Sequence, residues 1–131
     1  MPSIFTKIIN REIPGYIVAE DDRYIAFLDI NPLVLGHTLV VPKREVDYIF
    51  DLDDATLSGL TLFAKKVAAA VRESVPCKRI GIAVIGLEVP HTHIHLVPMT
   101  TMGDINFSRP KLTPSKEALK EVADAIASRL Q

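Results

Sequence analysis

Residues 91–99, "HTHIHLVPM", alternate in a way that extended backbone accommodates and a helix does not. Successive side chains of a strand point to opposite faces, so His91, His93 and His95 share one face while Thr92, Ile94 and Leu96 share the other. Neighbouring histidines on such a strand are about 6.5–7 Å apart at Cα. With Ile94 and Leu96 turned into a core, the pattern predicts a sheet buried on one side and carrying a ladder of imidazoles on the other. Three of the four histidines of the chain lie in these five residues. A single histidine on such a face is ordinarily a hydrogen-bonded structural group. Three together are costly to desolvate and give a core nothing in return.

The rest of the chain supplies a sheet around that strand. Ser3 is placed to cap a helix over "IFTKIINRE", with Ile4, Phe5, Ile8 and Ile9 as its apolar edge, and "IPG" at 13–15 stops it. "YIVAE" and "YIAFLDI" read as two strands of a hairpin turning at "DDR", "NPLVLG" as a loop, and "HTLVVPK" as a third strand. In "DLDDATLSGLTLFAKKVAAAVRESV" the spacing of Leu57, Leu60, Ala64, Val67 and Val71 predicts the longest helix, with Asp53 and Asp54 favourably placed at its positive end. "RIGIAVIGLEVP" reads as a buried strand running into a loop, and 101–114 as an extended loop. Leu119, Val122, Ala123, Ile126 and Leu130 outline a final amphipathic helix. Helices before, between and after the strands predict one α+β domain over residues 1–131: a mostly antiparallel sheet of about five strands with two main helices.

Charge and cysteine content narrow the function. Fifteen basic and sixteen acidic residues leave a net charge of −1, so nothing points to nucleic acid or an anionic membrane as partner. Cys77 is the only cysteine, which excludes an intramolecular disulfide and a thiolate-rich zinc site. No apolar run approaches the ~20 residues that span a bilayer, and the first residues lack the features of a signal peptide. The expected compartment is the cytoplasm.

Two chemistries suit the histidine ladder on spacing alone. Alternating imidazoles can ligate zinc, with His37 as a fourth ligand. Alternatively, an imidazole that is substantially neutral near pH 7 is a nucleophile towards phosphorus, and its neighbours donate hydrogen bonds to phosphate oxygens.

The chain resembles the histidine triad (HIT) family of nucleotide hydrolases and transferases, most closely its Hint-type branch of small homodimeric enzymes. The likeness is carried by "HTHIH" followed by "LVP", by "SIFTKIINREIPGYIVAEDDRYIAFLDINP" and by "GHTLVVPK", in the expected order over roughly residues 3–98. It implies a purine nucleoside 5′-monophosphate pocket, substrates of the nucleoside phosphoramidate class, and nucleotidyl transfer through a covalent histidine, with no metal or other cofactor required. A related branch hydrolyses dinucleoside polyphosphates, and a nucleotide-binding or scaffolding protein with little turnover is the reading from a different class. By the resemblance His93 is the nucleophile, His95 contacts phosphate oxygens, His91 fixes the imidazole network and His37 supports it from behind. Asp29 in "FLDI" accepts hydrogen bonds from the ribose hydroxyls. Phe5, Ile8, Ile13, Phe27, Leu28 and Ile30 line the base pocket, and Gly86, Glu88 and Val89 complete the nucleotide-binding set.

The stretch before the triad departs from the family pattern, which usually has an asparagine and a Gly-Gln-Ser/Thr type sequence. Here it is "VIGLEVPH", shorter, with Glu88 where a small hydroxyl residue is common. An acid beside a phosphate is unfavourable unless it meets a cation, so Glu88 is expected to select substrates with a basic leaving group. The 101–131 segment lies outside the shared pattern; in homodimeric relatives it often reaches the partner's site. Arg109 and Lys111 are expected to be solvated surface charges, and the Leu57–Val71 helix, with Phe63, is the expected place for a dimer interface.

Overall fold

In the computed structural model, which describes residues 2–130, the chain runs α1 (Ile4–Ile9), β1 (Ile17–Glu20), β2 (Tyr24–Leu28), β3 (Thr38–Pro42), α2 (Asp54–Ser74), β4 (Arg79–Ala83), β5 (Ile94–Met99) and α3 (Lys116–Ser128). Short 3-10 turns at Ile49–Asp51 and Met102–Ile105 precede α2 and follow β5. The strands form one five-stranded sheet in the order β1-β2-β3-β5-β4, antiparallel throughout. Met1 and Gln131 lie outside the described residues. Among those described, no helix is long and apolar enough to cross a membrane.

Local chemistry accounts for the connections. The Asp21 carboxylate accepts from the N–H groups of Arg23 and Tyr24, both at 2.8 Å, and so closes the β1–β2 turn at the sequence "DDR". Ser3 and Asp53 cap α1 and α2 by accepting from the N–H of Thr6 and Thr56. The first helix stops at Ile9, shorter than the sequence suggested, because Arg11 adopts a left-handed backbone with φ 61°.

Both sheet faces are covered, which is why β2 and β3 are buried along their whole length. Alternation in β2 splits the core. Tyr24, Ala26 and Leu28 join Leu60, Phe63, Val67, Val71, Leu119 and Ile126 beneath α2 and α3. Ile25 and Phe27 face the other way, onto Phe5 and Ile8 of α1 with Leu39 and Val41. Phe63, expected at an interface, is 9% exposed and packs on Tyr24 with ring centroids 5.7 Å apart. The apolar face of α2 is therefore spent on the sheet.

Two strands differ from expectation. β4 is an edge strand rather than a buried one, with Ile82 58% exposed. β5 begins only at Ile94, so His91 and His93 precede the strand instead of riding on it. The register that pairs Leu39 with His95 would bring Pro42 opposite Thr92, and proline has no N–H to extend the ladder. Thr92 turns away instead, its N–H and its hydroxyl both donating to the Val46 carbonyl at 2.7 Å.

Candidate active site

His91 is fixed at both nitrogens. A carbonyl can only accept, so Nε2–H donates to the Pro42 oxygen at 2.8 Å, and Nδ1 accepts from the Ser3 hydroxyl at 2.7 Å. Ser3 thus joins α1 to the triad, and Glu45 anchors both: its Oε1 accepts from the Ser3 N–H at 2.7 Å and the Thr6 hydroxyl at 2.6 Å. Burial holds the His91 pKa below its ordinary value, opposed by the Pro42 bond and the Glu45 charge.

His93 takes its tautomer from His91. Its Nδ1–H donates to the His91 carbonyl at 2.7 Å, which leaves the lone pair of a neutral ring on Nε2. Phe5 packs edgewise on the ring at 4.9 Å between centroids and fixes its plane.

His95 takes its tautomer from farther away. The Leu33 N–H donates to Nδ1 of His37 at 3.1 Å, so the His37 proton is on Nε2. That Nε2–H donates to Nδ1 of His95 at 2.9 Å, and the proton of neutral His95 is therefore on Nε2. Burial first, and then neighbouring positive charge, push His37 down to about 4 and His95 down to about 3, so both rings are neutral at pH 7. Neither His93 Nε2 nor His95 Nε2 has a protein partner among the described residues, and no unpartnered side-chain nitrogen there is buried, so both open to solvent. With ring centroids 4.8 Å apart, they offer an electron pair and an N–H donor side by side.

Asp29 follows β2 directly. Its Oδ1 accepts from the Asn31 N–H at 2.9 Å, and its Oδ2 lies 3.9 Å from His37 Nε2. Burial raises its pKa, the negative charge of Glu88 adds to this, and the Asn31 bond opposes it. Phe5, Ile8, Phe27 and Ile13 gather on the α1 face together with Val89. Leu28 does not: it follows Phe27 in the strand, so its side chain enters the α2–α3 core. Ile30 lies beyond the strand end and is 57% exposed. Leu39, Ile25 and Val41 join the apolar cluster unforeseen, although the period of two from Phe27 and along "TLVVP" points to them.

Gly86 has φ 74°, and a Cβ there would meet nothing within 4 Å, so the requirement is left-handed backbone rather than close approach. Glu88 is exposed. The triad does not form a metal tripod, since both nitrogens of His91 are engaged elsewhere. The donor set able to hold a metal is instead Asp29, His37 and His95, whose ligand atoms lie within 4.8 Å of one another.

Lys111 is exposed, as expected, whereas Arg109 is half-buried and the loop that carries both returns to the site. Phe107 packs edgewise on His95 at 4.7 Å and on His37 at 6.1 Å, and Arg109 donates to the Leu33 carbonyl at 2.6 Å. No local pattern in "GDINFSRPKL" announces this, because the contacts to His37 and Leu33 reach back across 70 and 76 positions.

A sequence model of the HIT domain matches residues 10–102. An HIT-like protein of Borreliella burgdorferi is 38% identical over 97% of both chains. The crystal structure of a Hit-like protein from Bartonella henselae superposes with a TM-score of 0.85 at 33% identity, covering 98% of this chain and 96% of that one. A zinc-bound histidine triad family protein from Mycobacterium smegmatis superposes with a TM-score of 0.83 at 26% identity, covering 97% and 91%.

Proposed function

The chain belongs to the HIT family, whose hydrolase and transferase type of function it shares, and from that premise we propose that it is a nucleoside 5′-monophosphate-transferring hydrolase acting on purine nucleoside phosphoramidates. The observation that carries the proposal is the pairing of tautomers: an unprotonated Nε2 on His93 beside a protonated Nε2 on His95, each fixed by a hydrogen bond at its other nitrogen.

In this reading Nε2 of His93 attacks the α-phosphorus and bonds to it as the bond to the leaving amine breaks, and the amine nitrogen takes up a proton from solvent water as it departs. The His91 carbonyl, accepting from Nδ1, stabilises the positive charge that develops on the ring. His95 donates from Nε2 to a non-bridging oxygen and, being neutral, keeps that proton throughout. Water then attacks the nucleotidyl-histidine, the bond from phosphorus to Nε2 breaks, and the water proton returns to solvent, which releases the nucleoside monophosphate and restores His93. Asp29 holds the ribose hydroxyls, and the Phe5, Ile8, Phe27 and Leu39 cluster receives the base. The chemistry proposed draws on no metal or other cofactor.

Dinucleoside polyphosphates are the second substrate class, since the same attack serves a phosphate leaving group; a binding protein with little turnover is the reading to be excluded. The proposal includes a homodimer in the cytoplasm. The edge strand β4 and the loop after it support the dimer, because Ile82 on the strand and Ile85 and Leu87 in the loop leave an apolar margin that is 58%, 45% and 88% exposed.

The test is turnover of adenosine phosphoramidate and of a diadenosine polyphosphate by wild type and His93→Ala, each with and without chelator. Loss of turnover in His93→Ala with no chelator effect is expected. Turnover surviving in that variant, or abolished by chelator, would contradict the proposal.

A further inference from the structure

Residues 101–112 form a strap that is built onto the site, and it carries a cation. Asp104 ties down its start by accepting from the N–H of Thr100 at 2.8 Å and of Thr101 at 3.0 Å. Its far end is stitched to the loop after β2: the Leu112 N–H donates to the Pro32 carbonyl at 2.9 Å, and Arg109 donates to the Leu33 carbonyl. The Pro32–Leu33 peptide that accepts from Leu112 also donates its N–H to His37 and sets the tautomer there, so the strap and the His37–His95 pair share one support. Between these anchors Phe107 closes the site against His95 and His37.

Lys111 sits on that aromatic wall. Its Nζ donates to the Phe107 carbonyl at 2.7 Å and stands 5.8 Å from the ring centroid, so the ammonium rests on the side chain that touches His95. Its field is felt at Asp29, His37 and His95 alike. Arg109 on the same strap is held by the Leu33 carbonyl and lies 3.9 Å from the Asp104 carboxylate; the other fixed charges facing this pocket among the described residues are carboxylates, Asp29 and beyond it Glu88, while His37 and His95 are neutral. A phosphate ester placed there without a counter-charge would be repelled. The Lys111–Phe107 bond is exposed, so the long flexible side chain exchanges it for an anion at little cost.

We infer that Lys111 is a phosphate-binding residue, presented by the Phe107 strap, and that it makes the pocket select a nucleoside 5′-phosphate over the corresponding nucleoside. This rests on the nucleotide reading proposed above and adds to it the residue, outside the triad and outside the matched region, that reads the phosphate charge.

Calorimetric titration of the full chain with AMP and with adenosine tests it, using wild type, Lys111→Gln and Lys111→Arg. The exposed substitution leaves the fold intact, so binding can be compared directly. Lys111→Gln should weaken AMP about tenfold and leave adenosine unchanged, as expected for loss of one charge-assisted hydrogen bond. Lys111→Arg should keep most of the AMP affinity, and raising the salt should narrow the gap between wild type and Lys111→Gln. An unchanged AMP affinity in Lys111→Gln, or equal losses for AMP and adenosine, would overturn the inference while leaving the nucleotide site standing. A wild type that binds AMP no better than adenosine would overturn the inference together with the nucleotide reading beneath it.

Discussion

Lowering the pH from 7 to 5 should destabilise the fold by about 4 kcal/mol, chiefly through His37 and His95. In the unfolded chain each titrates near the ordinary value of 6.5, whereas folding pushes them down to about 4 and about 3. A depressed histidine contributes its full stability above the unfolded value and loses it as the pH falls from there towards the folded value. At pH 5 the unfolded imidazoles are almost fully protonated and the folded ones mostly are not, which costs about 2 kcal/mol for each ring relative to pH 7. His91 is lowered too and adds to the effect in the same direction. The lowered carboxylates Glu20, Glu45, Asp53 and Asp104 release their contributions at more acid pH, and Asp29, being raised, acts in the opposite sense as it protonates. Thermal unfolding followed by circular dichroism at pH 7, 6 and 5 should show the midpoint falling by roughly 10–20 °C for a domain of this size. In His95→Gln one titrating ring is gone, and the fall should be about half. A midpoint that holds steady between pH 7 and 5 would refute the neutral, buried pair on which the tautomer argument depends.

Leu60 of α2 is fully buried against the sheet, and Leu60→Ala should cost about 3 kcal/mol in urea unfolding, with little change in the slope against denaturant. Gly36 enters β3 with φ 100°, and a Cβ there would lie 2.7 Å from Val75 Cγ2, so Gly36→Ala should destabilise by about 1–3 kcal/mol by the same measurement and displace His37. Ser3→Ala removes both the cap of α1 and the partner of His91 Nδ1; about 2 kcal/mol of stability and a reduced kcat are expected, and an unchanged kcat would detach His91 from the chemistry. Glu88→Gln should slow hydrolysis of a lysyl phosphoramidate more than that of a neutral one; equal effects on kcat/KM would remove Glu88 as a reader of the leaving group.

The parts of this protein that were legible in its sequence are those whose cause is local. The hairpin at "DDR" follows from the Asp21 carboxylate, α2 from its apolar spacing, and the split between Ile94 and Leu96 on one side and His95 on the other from strand alternation. The triad face was foreseen, but not the start of the strand, because that depends on Pro42 in another strand lacking an N–H. The resemblance assigns both Phe27 and Leu28 to the base pocket, although adjacent strand residues must part company. The strap stayed hidden for the same reason as the Glu45 anchor of Ser3: both join residues distant in the chain through single hydrogen bonds that leave no periodic trace.

Trapping the intermediate tests the central claim most directly. Wild type and His93→Ala are mixed with adenosine phosphoramidate, quenched within the first turnovers and digested for mass spectrometry. The account predicts an adenylyl group on the wild-type peptide that contains His93, absent from His93→Ala. An adduct on another residue, or turnover by His93→Ala without any adduct, would contradict it.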